Sequence, residues 1–282
     1  MSTKTRVLLV LALLFCALGI MVLYQRLRFF DGKLHLVICD VGQGDALFIR
    51  TPKGKNILID AGPDESVLSC LSNHMPFWDR TIDLAFLTHP HADHHNGFIH
   101  VANRYRLKYF VTENLLNDTA GFNALLETLR KKSIQPRFVT KGNSILLDSG
   151  IRISVLGPTK EFLGLSAPNG FINEQKEFAS LVLLISYGSF DVLTTGDSQA
   201  AGLIDAGVEN LGGIEVFQVP HHGSKSGITR ELISGLLPKV AVISVGKNSY
   251  GHPSKEALEI LKGLNIKTLR TNERGTINLV SP

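Results

Sequence analysis

A cluster of histidines around one aspartate dominates the chemistry that this sequence could perform. The motif His89-x-His91-x-Asp93-His94, followed by His95, places four imidazoles and a carboxylate within seven positions. Neutral imidazole nitrogens and carboxylate oxygens are ligands of zinc, manganese and iron. Two such ions a few ångströms apart can activate water and polarise a scissile ester. A loop rich in histidine by chance is a poor alternative, because five positions match in residue type and spacing.

Apolar runs predict the elements that must position these side chains. A short apolar run at residues 82–87 predicts a buried strand that ends at the histidine cluster. Other strand-like runs end shortly before Asp197, before the pair His221-His222 and before His252. The sequence therefore predicts that separate strands deliver candidate ligands at their C-terminal ends.

Strand-rich and helical stretches alternate along the rest of the chain. Strand-like runs dominate residues 34–59, 144–156 and 181–195, and a helical pattern covers residues 123–132. A second helix is predicted after Ser254, which can cap it. This pattern favours an α/β (α+β) fold in which helices cover the outer faces of packed sheets.

The histidine motif and four further motifs resemble the metallo-β-lactamase superfamily, with the closest likeness to the hydrolase domain of ComEC-type competence proteins. The four further motifs are Asp40-Val41-Gly42-Gln43-Gly44-Asp45-Ala46, Leu58-Ile59-Asp60-Ala61-Gly62, Leu193-Thr194-Thr195-Gly196-Asp197 and Val219-Pro220-His221-His222-Gly223-Ser224. The resemblance implies a four-layer αββα sandwich, with the site at the open edge where the two halves meet. It extends from about residue 34 to the C-terminus.

The resemblance also implies two metal ions, with zinc expected and Mn²⁺ as the alternative. Asp197 would bridge the two ions. The first ion would be bound by His89, His91 and Asp197, and the second by Asp93, His94 and His252. Many two-metal members have one more histidine between the first motif and the bridging aspartate, but this chain has none between His100 and Asp197. The first ion is therefore either weakly held and open to water, or Glu177 supplies an oxygen.

Other residues of these motifs are candidates for catalysis and for support of the ligands. We expect His222 to act as the general acid, with His221 in a supporting or alternative role and Asp93 contributing to catalysis as a ligand. Adjacent side chains of an extended segment point to opposite faces, so both histidines can face the site only if the chain turns there. Behind the ligands we expect Asp45, Asp60 and Ser180, the last from the resemblance.

The N-terminal region predicts a membrane anchor. Residues 7–24 carry no charge and are flanked by Lys4, Arg6, Arg26 and Arg28. The length of this uncharged run is near the lower limit of about 17–25 residues for a membrane span. Phe15 before Cys16 is too bulky for lipoprotein cleavage, so we expect an uncleaved anchor over residues 1–30 and a hydrolase domain over residues 31–282. Positive charges at both ends leave the orientation open. The very short leading segment favours a single-pass protein with its hydrolase domain outside the cytoplasm. A buried core helix is the alternative.

Composition adds weaker constraints. The chain has 282 residues, a formal net charge of +4 and a pI near 8.9, which mildly favours a polyanionic partner or a membrane surface. The three cysteines Cys16, Cys39 and Cys70 show no metal-ligand spacing, and their odd number gives no disulfide framework. We therefore interpret Cys39 and Cys70 as small apolar residues.

Together these observations predict a membrane-anchored, metal-dependent hydrolase, and more specifically a phosphodiesterase. From the resemblance we expect single-stranded DNA, or another phosphodiester, as the substrate. A role in DNA uptake would require a separate channel protein, because this chain lacks the multi-span channel of full-length ComEC proteins. The alternatives are a β-lactam or lactone hydrolase of the same superfamily, and a non-catalytic metal-binding module at the membrane.

Overall fold

The apolar strands of the sequence assemble into two sheets that pack face to face. A computed structural model describes residues 2–147, 150–172 and 179–282. Within these ranges, each of the two sheets has seven strands. The strands are β1 (His35–Ile38), β2 (Leu47–Arg50), β3 (Asn56–Ile59), β4 (Thr81–Leu87), β5 (Arg106–Thr112), β6 (Pro136–Phe138), β7 (Ser144–Leu146), β8 (Arg152–Gly157), β9 (Val182–Tyr187), β10 (Phe190–Thr194), β11 (Val216–Gln218), β12 (Val240–Ile243), β13 (Lys267–Arg270) and β14 (Ile277–Val280).

Helices connect the strands and cover the sheets. They are α1 (Thr3–Phe29), α2 (Ser66–His74), α3 (Ala92–His95), α4 (Gly97–Arg104), α5 (Ala120–Lys131), α6 (Lys160–Ser166), α7 (Ala200–Ala206), α8 (Arg230–Leu236), α9 (Lys255–Gly263) and α10 (Thr271–Arg274). Several begin at a residue that the sequence favours for this position. Ser254, for example, accepts a hydrogen bond from the Ala257 amide at the start of α9.

Each sheet combines an antiparallel half with a parallel half. The first sheet has the order β14-β1-β2-β3-β4-β5-β6, and β3 to β6 run parallel. The second has the order β13-β12-β11-β10-β9-β8-β7, and β10 to β13 run parallel. The parallel strands of each sheet therefore direct their C-terminal ends toward one edge.

Three apolar clusters define four layers. One cluster lies between the sheets and joins residues such as Leu36 and Phe86 to Leu183. A second packs the first sheet against α2, α4 and α5, and a third packs the second sheet against α7, α8 and α9. Because both faces of each sheet are covered, the inner strands are apolar on both sides. This arrangement confirms the predicted αββα sandwich.

The first helix lies apart from these layers. Among the described residues, α1 is the one helix long and apolar enough to cross a membrane, and none of its residues is buried against the protein. A buried core helix, the alternative drawn from the sequence, does not fit this exposure.

The structure corrects the interpretation of two cysteines. Cys39 follows β1, Cys70 lies in α2, and the two form a disulfide with Cα atoms 5.7 Å apart. The prediction that they are simple apolar residues was wrong, because α2 packs against the first sheet and brings together cysteines separated by 31 positions. The disulfide ties the loop that begins at Asp40 to the helix that follows Asp60.

We expect reduction of this disulfide to lower the free energy of unfolding by about 3–4 kcal/mol. The cross-link closes a loop of 31 residues and so lowers the conformational entropy of the unfolded chain. Urea unfolding of the full chain in detergent, with and without reductant, measures this difference. The denatured, oxidised chain should show one reactive thiol, that of Cys16, and a Cys16→Ala variant should show none. Three reactive thiols in the oxidised chain would contradict the pairing.

Candidate metal centre

The parallel strands of both sheets end at the same edge of the sandwich, and the loops that leave them carry the candidate ligands. His89 follows β4, Asp197 follows β10, and both His221 and His222 follow β11. His252 lies on the loop after β12. The edge therefore receives imidazoles from both sheets.

The carboxylate of Asp197 lies at the centre of this edge and is buried. Its Oδ2 atom is 3.6 Å from His89 Nε2 and 3.8 Å from His221 Nε2. Its Oδ1 atom is 3.3 Å from His94 Nε2 and 3.9 Å from His222 Nε2. Both carboxylate oxygens thus face ring nitrogens, which is an arrangement that suits a carboxylate between two cations.

Four groups of side chains have donor atoms that lie within 4.8 Å of one another. They are His89, His94 and Asp197; Asp93, His94 and His222; Asp45, Asp60 and His94; and Asp45, Asp197 and His222. In addition, the buried atoms His94 Nε2 and Asp197 Oδ1 face each other over 3.3 Å, and within the described residues neither makes a contact with hydrogen-bond geometry. Buried polar atoms without such partners are costly unless a further group binds them. The residues therefore fit a divalent metal centre.

Carboxylates keep the central imidazole protonated in the absence of metal. Burial lowers the pKa of His94, but Asp197, Asp60 and Asp93 outweigh burial and raise this pKa well above its ordinary value. Burial likewise lowers the pKa of His222, and the attraction of Asp197 and other carboxylates raises it well above the ordinary value. The positive charge of the protonated rings balances the negative charge of the buried carboxylates.

Asp60 lies behind His94 and fixes its ring. The Oδ2 atom of Asp60 is 2.8 Å from His94 Nδ1 and accepts a hydrogen bond of 2.7 Å from the Thr88 hydroxyl. The Thr88 amide donates to Oδ1 over 2.8 Å. A carboxylate behind a ligating imidazole sets which nitrogen faces the ion and increases its basicity.

Asp45 occupies a comparable position behind His222. Its Oδ1 atom is 3.5 Å from His222 Nδ1, and its Oδ2 atom accepts a short hydrogen bond from the Gln218 side chain. The Ser244 carbonyl is closer to the same nitrogen, at 2.9 Å, and is therefore its main partner. Both groups direct His222 Nε2 toward the ligand cluster.

Ser180 connects two of the candidate ligands. Its hydroxyl lies 3.5 Å from His89 Nδ1 and accepts a hydrogen bond of 3.3 Å from the Asp197 amide. The Thr88 hydroxyl lies closer to His89 Nδ1, at 3.1 Å. Glu177, considered above as a further oxygen donor, lies outside the described residues.

The chain turns at His221 and His222, and both rings face the site. The φ angles of these residues are 50° and 54°, in the left-handed region that residues other than glycine seldom adopt. An extended backbone would have turned one ring away. Such conformations are found at functional sites, where the surrounding structure must hold them in place.

The geometry differs from the sequence prediction in its placement of His222 and His252. His222 Nε2 is 3.2 Å from Asp93 Oδ2, inside the group that contains His94. The ring of His252 is centred 5.3 Å from that of His221, and among the described residues it belongs to none of the four groups. His222 therefore lies among the candidate ligands, and the role of His252 as a ligand of the second ion stays a prediction.

His91 lies at the rim of the cluster. Its Nδ1 atom is 3.0 Å from His89 Nε2, and its ring lines the cavity. Like His252, it is outside the four groups formed by the described residues.

Burial, followed by the charges of His221 and His222, lowers the pKa of His252 to about 4. The His252 ring is therefore neutral near pH 7.

Glu113 is a candidate that the sequence analysis missed. It follows β5 as His89 follows the neighbouring β4, and its side chain is fully buried. Burial, with a further contribution from Asp60, raises the pKa of Glu113 well above its ordinary value. Its position at the end of a strand was a signal that could have identified it.

An open cavity of about 650 Å³ lies over the ligands. Its lining includes Gln43, Pro63, His91, Ala92, Asp93, Asn117, Thr119, Asp197, His221, His222, Lys247, Asn248, Ser249, Tyr250 and His252. Lys247 and Tyr250 form an exposed part of the rim, and the Tyr250 side chain is 75% exposed. The cavity therefore offers a cation and an aromatic ring beside the candidate metal centre.

Glycines allow the loops of this edge to pack backbone against backbone. A Cβ atom at Gly246, which follows β12, would overlap the backbone of Gly42 and Gln43 in the loop between β1 and β2 of the first sheet. A Cβ atom at Gly97 would overlap the carbonyl of Ala61. The loop from the second sheet is thus held directly against the loop that carries Asp45.

Comparison with known proteins confirms the resemblance. The profile of the Metallo-beta-lactamase superfamily matches residues 39–247. The chain is 29% identical over 268 residues to ComE operon protein 3 of Bacillus subtilis, covering 88% of this chain and 33% of that protein. It is 28% identical over 227 residues to Recombination protein 2 of Haemophilus influenzae, covering 79% and 26% respectively. The chain therefore spans about a quarter to a third of the length of these relatives.

Solved structures share the fold. A metallo hydrolase from the hyperthermophilic archaeon Ignicoccus hospitalis superposes with a TM-score of 0.57 at 16% identity, covering 87% of this chain and 98% of that one. At this level of identity the likeness concerns the fold alone.

We expect Asp60→Asn to weaken metal binding about 10- to 100-fold, because the amide cannot replace the carboxylate behind His94. Asparagine tolerates the left-handed backbone at position 60, where φ is 57°, so the fold should persist. Competition with a chromogenic chelator measures the affinity. Asp118→Asn, at an exposed position outside the four groups, is the matched control. Equal affinities for the two variants would refute the role of Asp60.

Metal binding should release protons, because the raised pKa values of His94 and His222 favour the imidazolium form of both rings in the metal-free protein. Since a proton competes with the ion at each ring, affinity should fall as the pH falls. Calorimetric titration in two buffers that differ in enthalpy of ionisation measures the number of protons released. Heats that do not depend on the buffer would contradict this expectation.

Proposed function

This chain belongs to the metallo-β-lactamase superfamily, and on that premise we propose that it is a membrane-anchored, metal-dependent phosphodiesterase that cleaves single-stranded DNA. The observation that carries the proposal is the buried Asp197 carboxylate, which faces imidazoles from both sheets beneath an open cavity. Relatives named for recombination and competence support nucleic acid as the substrate class.

The distances around Asp197 and Asp93 support most of the ligand sets, and His91 is included on the strength of the sequence motif. We assign His89, His91 and Asp197 to a first ion, and Asp93, His94, His222 and Asp197 to a second. Histidine-rich donors favour zinc, and the carboxylates also suit Mn²⁺. When bound, two divalent cations would activate water and neutralise charge that develops on the phosphoryl group.

His221 is the better candidate for the general acid. His222 is enclosed, with one ring nitrogen near the Ser244 carbonyl and the other near Asp93. The His221 side chain is 25% exposed and lines the cavity, so it can reach a leaving oxygen. We therefore assign the proton donation to His221, which the sequence analysis had left as the alternative.

The rim of the cavity supports a nucleic acid substrate. Exposed aromatic rings stack on bases of any sequence, and lysine side chains bind the phosphate backbone. Tyr250 and Lys247 supply one of each beside the ligands.

The disulfide supports a location outside the cytoplasm. Structural disulfides persist in oxidising compartments and are rare in the cytosol. Cys39 and Cys70 are paired in the layer formed by the first sheet and α2, while α1 supplies a membrane-spanning candidate. We therefore propose a single-pass protein whose hydrolase domain faces away from the cytoplasm.

We expect the metal-loaded full chain in detergent to hydrolyse labelled single-stranded DNA and bis-p-nitrophenyl phosphate. Tyr250→Ala should raise KM for the DNA about 5- to 150-fold, the equivalent of one lost base stack, and leave kcat/KM for the small diester unchanged. Steady-state kinetics on both substrates measure this difference. Asp197→Asn should abolish both activities.

Tyr250→Phe is the matched control, because it keeps the ring and should retain the KM of the parent protein. Equal losses on both substrates in Tyr250→Ala would argue against base stacking. If the metal-loaded protein cleaves neither substrate, the phosphodiesterase proposal fails, and lactams and lactones become the next substrates to test.

A further inference from the structure

The end of the sandwich opposite the metal centre joins the first helix. Three hydrogen bonds connect α1 to the domain there: Phe77 N to Gln25 Oε1 at 3.3 Å, Arg28 Nη2 to Asn73 O at 3.1 Å, and Arg50 Nε to Phe29 O at 3.1 Å. The Arg50 guanidinium also lies over the Phe30 ring, 4.8 Å from its centroid. These contacts fix the end of α1 against the domain.

This junction is separated from the metal centre by the length of a strand. Arg50 bonds to Asn56 and Asp79 near the start of β4, whereas the ligands follow the other end of β4. The seven residues of β4 rise about 3.3 Å each and span roughly 20 Å. The two ends of the domain therefore face opposite directions.

Exposed aromatic and basic side chains surround the junction. Arg80 precedes β4, Arg104 ends α4 and Arg106 begins β5, and the Arg106 amide donates to the Arg80 carbonyl over 2.8 Å. Together with three exposed aromatic residues they form what we call the anchor-end surface: Phe30, Phe77, Trp78, Arg80, Arg104 and Arg106.

Acidic side chains near this surface are engaged by the protein itself. Asp79 accepts hydrogen bonds from Arg50 and Asn56. Asp83 accepts hydrogen bonds from the Asn56 amide and from Lys108. The anchor-end surface therefore carries an excess of positive charge.

The position of α1 brings this surface close to any membrane that the helix spans. The uncharged run ends at Tyr24, α1 ends at Phe29, and β1 begins at His35. At about 1.5 Å per helical residue, the end of α1 lies roughly 8 Å beyond Tyr24. Exposed tryptophan, phenylalanine and arginine at this depth are typical of side chains in the headgroup region of a bilayer.

We infer that the anchor-end surface docks on the headgroup layer of an anionic phospholipid bilayer, with Phe77 and Trp78 in the interface and Arg104 and Arg106 against lipid phosphates. The inference rests on the proposed anchoring of the chain by α1. Docking holds the metal centre about a strand length from the bilayer, with its cavity open to the surrounding solution.

Single-stranded nucleic acid is the alternative ligand that a test must separate. A groove of about 820 Å³ between α4, β5 and β6 adjoins the surface and shares Arg104 and Arg106 with it. The groove also contains Tyr109, whose ring lies 4.5 Å from the Arg137 guanidinium. The exposed Phe77 and Trp78 beside α1 favour the bilayer over this alternative.

Trp78 provides the measurement, because it is the only tryptophan in the sequence. The full chain is reconstituted into vesicles of phosphatidylcholine with phosphatidylglycerol, in which some lipids carry bromine near the headgroup end of the acyl chains. Vesicle flotation reports anchoring, and bromine quenching of the tryptophan emission reports docking. We expect flotation together with strong quenching.

Two double variants with equal changes in charge isolate the role of the surface. Arg104→Glu with Arg106→Glu should float as the parent does but lose quenching, with the docking equilibrium weakened about fivefold or more for each arginine. Lys160→Glu with Lys225→Glu changes exposed lysines near the metal-centre end and should retain the quenching of the parent. High salt should reduce quenching of the parent protein but not its flotation.

The outcomes separate the two proposals. A chain that does not float contradicts anchoring by α1, and it also contradicts docking, which rests on that anchoring. A chain that floats while Trp78 remains unquenched overturns docking and leaves anchoring intact. Docking is also overturned if the arginine variant keeps its quenching but binds single-stranded DNA more weakly than the parent protein, which would assign this surface to nucleic acid.

Discussion

A carboxylate removed from water needs positive charge close to it, and this constraint on Asp197 governs the centre of the molecule. Its two oxygens face imidazoles that come from both sheets, at distances of 3.3 to 3.9 Å. An isolated ionised carboxylate in such a place would cost far more than the net stability of a domain. Protons on His94 and His222 compensate it in one state, and divalent cations can do so in another. The need to balance the charge of Asp197 thus brings imidazoles from the two sheets together.

The architecture meets this constraint by repeating one arrangement in both sheets. Each sheet has a parallel half, and the loops at the ends of β4, β10 and β11 converge on the same edge. The antiparallel halves complete the apolar layers. The supporting carboxylate Asp45 lies on the loop between the antiparallel strands β1 and β2, whereas Asp60 follows β3 at the start of the parallel half. Ligands therefore lie on loops that leave buried strands, whereas the side chains behind them are held by hydrogen bonds.

Much of this could be predicted from the sequence, because the ligand pattern is local. An apolar run that ends in His89 predicts both a strand and its role, and Asp197 repeats the pattern. What could not be predicted depends on tertiary packing or on unusual backbone angles. The pairing of Cys39 with Cys70 required α2 to lie against the first sheet. The inward direction of both His221 and His222 required left-handed angles, which no local pattern signals for histidine.

The contact between Gly246 and the backbone of Gly42 has a consequence for how such a site can diversify. Any side chain at position 246 would push the two loops apart and with them the ligands of the two sheets. The next residues, 247–250, leave this contact and form the exposed rim that contains Lys247 and Tyr250. Changes at the exposed Lys247 and Tyr250 would alter what the cavity accepts without disturbing this backbone contact. Gly246 thus separates two loops that must stay in contact from an exposed rim that is free to vary in sequence.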